Sequence, residues 1–439
     1  TLSALWSAWL WGRESSAALR TVLRRRRYDW TWHAEALRRT LTAITPALAA
    51  GGSLVGLLSE SEPGFNAAVF SAADGAGFAL TGAALRADTA EAQVTWARAQ
   101  TPPSGFTGSI LEVAVKNTAR ESAIETLASR GEPSRWITVH FAAWRALAEK
   151  RLLAALPADP VSTVTHLLEP AFRDTGLYRR LDADPDDDLA TGLWWVAVER
   201  EAASPHSEEA VARDSAWSSA PAAPQVVNLS TPLADRVEAE VLRLLSAAGD
   251  EPVAERNLMH AVCAALPGPL TPGRGLVLAC LSSYAEKVEP DEWRLRAEDA
   301  SSTRGQELQS IQAELRALGT RNGFDVAGAN PLEWREDGQT LYLFAVITSA
   351  VVSAYLLGPR AAAHQSFLVL PGGRAGLVEF KLRRDPRLRA ALAEGHWHIL
   401  KFRHLRRMAG DSQLTRATLE PTLAADPLEE AKQLSLMNG

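Results

Sequence analysis

The sequence predicts a chain of the α/β plus α class, divided into several compact units. Three observations lead there. The first hundred residues read helix, strand, helix, strand, strand; the stretch from about 300 to 410 alternates apolar strand-length runs with helices; and the segments between them carry helical apolar periodicity. At 439 residues the chain has room for about two to four domains of roughly 100–200 residues. With 46% hydrophobic and 22% charged residues, each unit can bury a core, which excludes a disordered chain.

The two cysteines, Cys263 and Cys280, sit in apolar surroundings without ligand-spaced partners, and so predict buried free thiols in a reduced, cytoplasmic protein. The net charge of −6 excludes a polycation that coats nucleic acid, so any DNA contact must come from a local patch. The chain opens at Thr1 with TLSALWSAWLWGRE, without the basic start or small-residue cleavage site of a signal peptide, which suggests a truncated or processed chain. Leu341 to Gly358, LYLFAVITSAVVSAYLLG, approaches membrane-span length, yet it divides into a β-rich half and a helix-compatible half. A buried strand followed by a buried helix accounts for it, and no membrane is expected.

The first helix runs from an Asp29 N-cap through Leu37, Leu41, Ile44 and Leu48, which share a face, and stops at Gly51 and Gly52. SLVGLLSE is a short apolar strand, and Pro63 to Ala73 is amphipathic. FALTGAALRAD and QVTWARA are close enough to pair as an antiparallel hairpin.

This order, with LSALWSAWLWGRE at its start and TPALAAGGSLVGLL at the passage into the strand, resembles the second half of a class I S-adenosylmethionine-dependent methyltransferase, within a group of bacterial adenine-specific DNA methylases. The resemblance covers about 100 residues. It implies the helix before strand five, strand five, the next helix, and the reversed pair of strands six and seven. It also implies S-adenosylmethionine as cofactor and DNA as substrate. The family's Gly-rich cofactor loop and Asp/Asn-Pro-Pro-aromatic motif are missing from the chain; its Pro-Pro, Pro102–Pro103, follows Thr101.

Residues 106–200 form a helical, winged-helix-like module. A weak internal repeat links it to a later segment: Glu132–Pro133 and Glu251–Pro252 each follow a leucine-bearing helix and precede a histidine, His140 or His260, expected to pack under the turn rather than bind metal. Residues 201–230 read as a linker rich in Ala, Ser and Pro. DADPDDD (182–188) lacks the glycine and final glutamate of a calcium loop and reads as a solvated acidic turn.

Residues 231–299 give three helices and a hairpin, the outline of a winged helix whose third helix would face DNA through Arg274, Ser282, Ser283, Tyr284 and Lys287. Such modules also pack against protein. Residues 300–410 read helix, strand, strand, helix, strand, helix, strand, which resembles the restriction-endonuclase-like superfamily. That family's metal-binding acid and Glu/Asp-x-Lys are replaced by Phe344-Ala345-Val346, while Glu379-Phe380-Lys381 falls on a helical pattern. A degenerate, noncatalytic domain is expected, with a nuclease built on Glu379 and Lys381 as the competing reading. Residues 411–439 form a tail.

Between Arg374 and Arg407 stand ten basic residues, Arg374, Lys381, Arg383, Arg384, Arg387, Arg389, Lys401, Arg403, Arg406 and Arg407, against Glu379, Asp385 and Glu394. The local balance of +7 (ten minus three) predicts a phosphate-binding surface. Arg24, Arg25, Arg26 and Arg27 form a smaller basic cluster. The functional expectation is the C-terminal part of a DNA N-methyltransferase that contributes DNA binding and fold completion, without a catalytic residue of its own. The alternative is a noncatalytic DNA-binding subunit of a defence or restriction-modification complex.

Overall fold

The computed structural model describes residues 8–14, 16–17, 29–49, 51–60, 62–156, 159–174, 176–184, 186–197, 229–358, 363–394 and 397–424. The protein is mixed α/β, with several sheets and many helices in two compact units, residues 1–230 and 231–439.

In the first unit, helix α1 (Trp30–Ile44) is capped by Asp29, whose carboxylate accepts the Trp32 N–H at 2.9 Å. It ends before the expected Gly51 because Pro46, without an N–H, turns the chain into a 3-10 turn at Thr45–Ala47. Strand β1 (Ser53–Leu58), helix α2 (Pro63–Gly75), β2 (Phe78–Arg86) and β3 (Glu91–Arg98) follow. The sheet order is β1-β3-β2, with β3 antiparallel to both neighbours and Leu57 opposite Gln93. Along β1 the burial alternates, Leu54 and Leu58 packing on the core while Val55 and Leu57 are exposed.

Helix α2 is buried from Asn66 to Asp74, as its run of small and apolar residues allows. Asp74 at its end accepts the Ala154 N–H at 2.7 Å and pairs with the buried Arg151. Around it lie α3 (Gly108–Arg130), closed by Gly131 in the left-handed conformation at φ +65°, then α4 (Trp136–Glu149) and α5 (Pro160–Phe172). A hairpin of β4 (Tyr178–Leu181) and β5 (Leu193–Val196) brings Trp194 against Trp136, Phe172 and Tyr178. The acidic loop before β5 is held on Arg180, which donates to the carbonyls of Asp187 (3.2 Å) and Asp188 (2.8 Å).

The second unit starts with α6 (Leu233–Ala248), β6 (Val253–Ala254), α7 (Glu255–Ala265), α8 (Arg274–Tyr284), β7 (Ala285–Glu289) and β8 (Glu292–Leu295), the strands ordered β6-β8-β7. It continues with α9 (Ser301–Arg321), β9 (Asp325–Ala327), β10 (Leu332–Glu336), β11 (Gln339–Val346), α10 (Ser353–Leu356), β12 (Gln365–Leu370), α11 (Ala375–Arg384), α12 (Pro386–Glu394), β13 (Trp397–Lys401), α13 (Phe402–Gly410) and α14 (Arg416–Ala424). The five-stranded sheet runs β13-β12-β11-β10-β9, an antiparallel meander of β9 to β11 joined to the parallel strands β12 and β13.

The period-2 alternation of β11 and β12 sends side chains to two cores. Leu343, Ala345, Leu368 and Leu370 join α6, α8 and α11 on one face; Phe344, Val346, Phe367 and Val369 join α9, α13 and α14 on the other. Gly319 lets α9 approach the second face closely, since a Cβ there would lie 2.5 Å from Trp334 Nε1 and 2.8 Å from Val326 Cγ2. The apolar run Leu341–Gly358 resolves into the end of β11 and the short α10, and among the described residues no helix is long and apolar enough to cross a membrane.

Candidate nucleic-acid interface

The basic residues expected to meet DNA are divided by the fold into unlike environments. Arg24, Arg25, Arg26 and Arg27 lie outside the described residues. Arg274, at the start of α8, is exposed but held by Glu255 at 2.6 Å. Lys287 on β7 donates to the Pro290 carbonyl at 3.2 Å and lies over the Trp293 ring, 5.0 Å from its centroid. Its hairpin also carries Glu286, Glu289, Asp291 and Glu292, an acidic setting that repels phosphate.

Helix α8 is not available as a reading helix. Leu276, Val277, Cys280, Leu281, Ser283 and Tyr284 are buried against the same core as α6 and α11, and of the expected polar face Arg274 and Ser282 stay exposed. The sequence-based assignment of Ser283 and Tyr284 to a DNA-facing surface is therefore corrected. An apolar third helix in this arrangement packs on protein, here on the α/β half of its own unit.

The +7 run is also not one patch. Arg374, Lys381 and Lys401 are buried, at 2%, 1% and 2% exposure, and cannot reach a phosphate without unfolding. Of the remainder, Arg383 and Arg384 end α11, on the sheet face that carries α6 and α8, whereas Arg403, Arg406 and Arg407 lie on α13, packed against the opposite face. Arg383 is 3.8 Å from Glu379, and Arg387 pairs with Asp385 at 2.6 Å. Arg406 sits between Glu307 (3.2 Å) and Glu314 (3.8 Å).

Lys381, the residue on which a nuclease reading depended, occupies an internal ionic cluster. Its ammonium meets Asp235 at 2.5 Å, the Ala350 carbonyl at 3.0 Å, and Glu238. Asp235 also accepts from Ser353, and Glu238 from Tyr284 and from the Ala350 N–H at 2.7 Å. Burial alone favours the neutral amine, but the Glu238 and Asp235 carboxylates outweigh it and hold the lysine above its ordinary pKa. Burial likewise raises Asp235 despite Lys381. Beside this cluster the Arg374 guanidinium covers the Tyr284 ring at 3.7 Å and pairs with the buried Asp299, while donating to the Thr348 carbonyl at 3.1 Å.

A charged group so enclosed cannot activate water on a DNA strand. Glu379-Phe380-Lys381 is helical, Phe344-Ala345-Val346 is buried in β11, and among the described residues no group of three His, Cys, Asp or Glu side chains could hold a metal ion. Cys280 is buried, and burial pushes its thiol well above the ordinary value; Cys263 is half-buried rather than buried. His140 packs between Trp136 and Trp144, with burial pushing its pKa down to about 3, whereas His260 faces outward on α7.

The ionic cluster was not anticipated from the sequence, although a signal for it was present. In α11 a lysine takes a place in the apolar pattern Leu377, Val378, Lys381, Leu382, and α6 opens with two carboxylates three residues apart. No known protein family, curated protein or solved structure matches the chain.

Proposed function

We propose that the chain supplies the closing strands of a class I S-adenosylmethionine-dependent methyltransferase sheet, in a protein that methylates an exocyclic base amine of DNA, adenine being favoured. The observation that carries this reading is the order β1-β3-β2. With β3 antiparallel to both neighbours, β1 and β2 run parallel and the last strand is inserted between them. A methyltransferase sheet closes in the same way, its reversed seventh strand placed between the fifth and sixth. Helices α1 and α2 take the positions before and after strand five.

The state of β1 supports the reading. It pairs on one side, with β3, and is an edge strand among the described residues. Val55 and Leu57 are 54% and 80% exposed, in a strand without a charge or proline to protect its edge. Such an edge accepts a further strand, and in this sheet the next one would be strand four. The Gly-rich cofactor loop and the target-base motif are not among the 439 residues; no transfer step is assigned to a residue of this chain, whose part is to complete the fold and bind DNA.

The gene immediately upstream of the Thr1 codon tests this reading. An in-frame Asp/Asn-Pro-Pro-aromatic motif within some tens of codons is expected, and the 439-residue chain alone should transfer no methyl group from S-adenosylmethionine to DNA. An upstream sequence without the motif, or methylation by this chain alone, overturns the proposal.

A further inference from the structure

We propose that Arg403 and Arg407 form a phosphate-contacting pair on the outer face of α13, gripping the backbone of duplex DNA without regard to its sequence. The inference rests on the reading of DNA as substrate and assigns the surface that holds it in the second unit. Helix α13 is sharply two-sided: Phe402, Leu405 and Met408 are buried, and Arg403, Arg406 and Arg407 are exposed. The three arginines are not equivalent. Arg406 is neutralised by Glu307 and Glu314, whereas neither Arg403 nor Arg407 has an ion-pair partner among the described residues.

Four residues apart on a helix, the two side chains rise from neighbouring points of one face, about 5–6 Å apart at Cβ, close to the separation of successive phosphates on one strand. At the end of the same helix Arg321 donates to the carbonyls of Met408 (3.1 Å) and Ala409 (2.9 Å). It covers the carbonyl groups that would otherwise repel an anion there and adds a third positive charge.

The guanidinium fork matches phosphate oxygens in a way an ammonium does not. No exposed apolar side chain accompanies the arginines on this helix, since its three large apolar residues face the core, and so a lipid surface is not served. Repeating phosphates are what a pair at fixed spacing recognises.

The test is fluorescence anisotropy of the full chain with a labelled duplex of about 20 base pairs and arbitrary sequence, over a salt series. For the double variant Arg403→Ala/Arg407→Ala, the slope of log affinity against log salt should shrink by about two, about one for each lost contact. The Arg403→Lys/Arg407→Lys variant should keep most of the slope, and Arg274→Ala should bind as the wild type does. Both α13 double variants should melt at the wild-type temperature, because the altered side chains are exposed and have no ion-pair partner among the described residues. DNA binding with an unchanged slope in the double alanine variant overturns the assignment to α13 and leaves DNA as the substrate. A wild-type chain that binds poly-glutamate at least as tightly as DNA makes the ligand an acidic protein. A chain that binds neither overturns the pair as an anion site.

Discussion

The ammonium of Lys381, in the middle of α11, lies 2.5 Å from the carboxylate of Asp235, 146 residues earlier on α6. With Glu238 it ties the helical half of the second unit to its α/β half through charges that are each 1–3% exposed. A buried pair of this kind adds little net stability over a well-packed apolar replacement, but removing one partner leaves an uncompensated charge in the core.

Replacement of Lys381 by Met should therefore lower the stability of the second unit by about 3–5 kcal/mol, measured by urea unfolding. Adding Asp235→Ala and Glu238→Met to the same chain should recover part of the loss, because the stranded charges are then removed while the Ser353 and Tyr284 hydroxyls and the Ala350 N–H lose their acceptors. A single Lys381→Met variant as stable as the wild type contradicts the arrangement.

The close approach at Gly319 reverses a common expectation. Glycine to alanine inside a helix normally stabilises by about 1 kcal/mol, but here the added methyl meets the fully buried Trp334 indole and Val326. Gly319→Ala should destabilise by about 1–3 kcal/mol, read from thermal and urea melts. A stabilised variant would show that α9 does not pack so tightly on β10.

His140 sets an acid dependence for the first unit. Its Nδ1 is buried without a hydrogen-bond partner, and burial pushes its pKa down to about 3 from 6.5. Above pH 6.5 the ring is neutral in both folded and unfolded chains, and the shift has no effect. Below it the unfolded chain takes up the proton while the folded one does not, so stability is lost as the pH falls from 6.5 towards 3, by up to about 2 kcal/mol at pH 5. His140→Phe should remove this dependence between pH 7 and 5, compared by urea melts at each pH. An equal slope in both proteins contradicts it.

Local order was legible in the sequence where one rule governed it. Asp29 caps α1 as its residue type and position suggest, the first six residues of SLVGLLSE form β1, and the hairpin of β2 and β3 follows from two extended runs around a short turn. Pro46, which has no N–H to continue the helical ladder, stops α1 before Gly51. What the sequence could not reveal was which face a charge would take. Ten basic residues within 34 positions read as one patch, yet β13 intervenes, so α11 and α13 cover opposite faces of the sheet and three of the ten are buried. The helix expected to read DNA carries Ser283 and Tyr284 in buried positions, because Val277, Cys280, Leu281 and Tyr284 join the core that α6 and α11 share.

The proposed role of β1 is to receive the next strand of a methyltransferase sheet. It is tested most directly by methyl transfer from labelled S-adenosylmethionine to duplex DNA, using the chain extended through the reading frame upstream of Thr1, with Leu57→Lys as the variant. Leu57 is 80% exposed, so the 439-residue chain should tolerate the lysine within about 0.5 kcal/mol. The extended protein should methylate DNA, and its Leu57→Lys form should lose most of that activity. An extended protein that transfers no methyl group to DNA, or one whose activity ignores a charge on β1, would contradict that role.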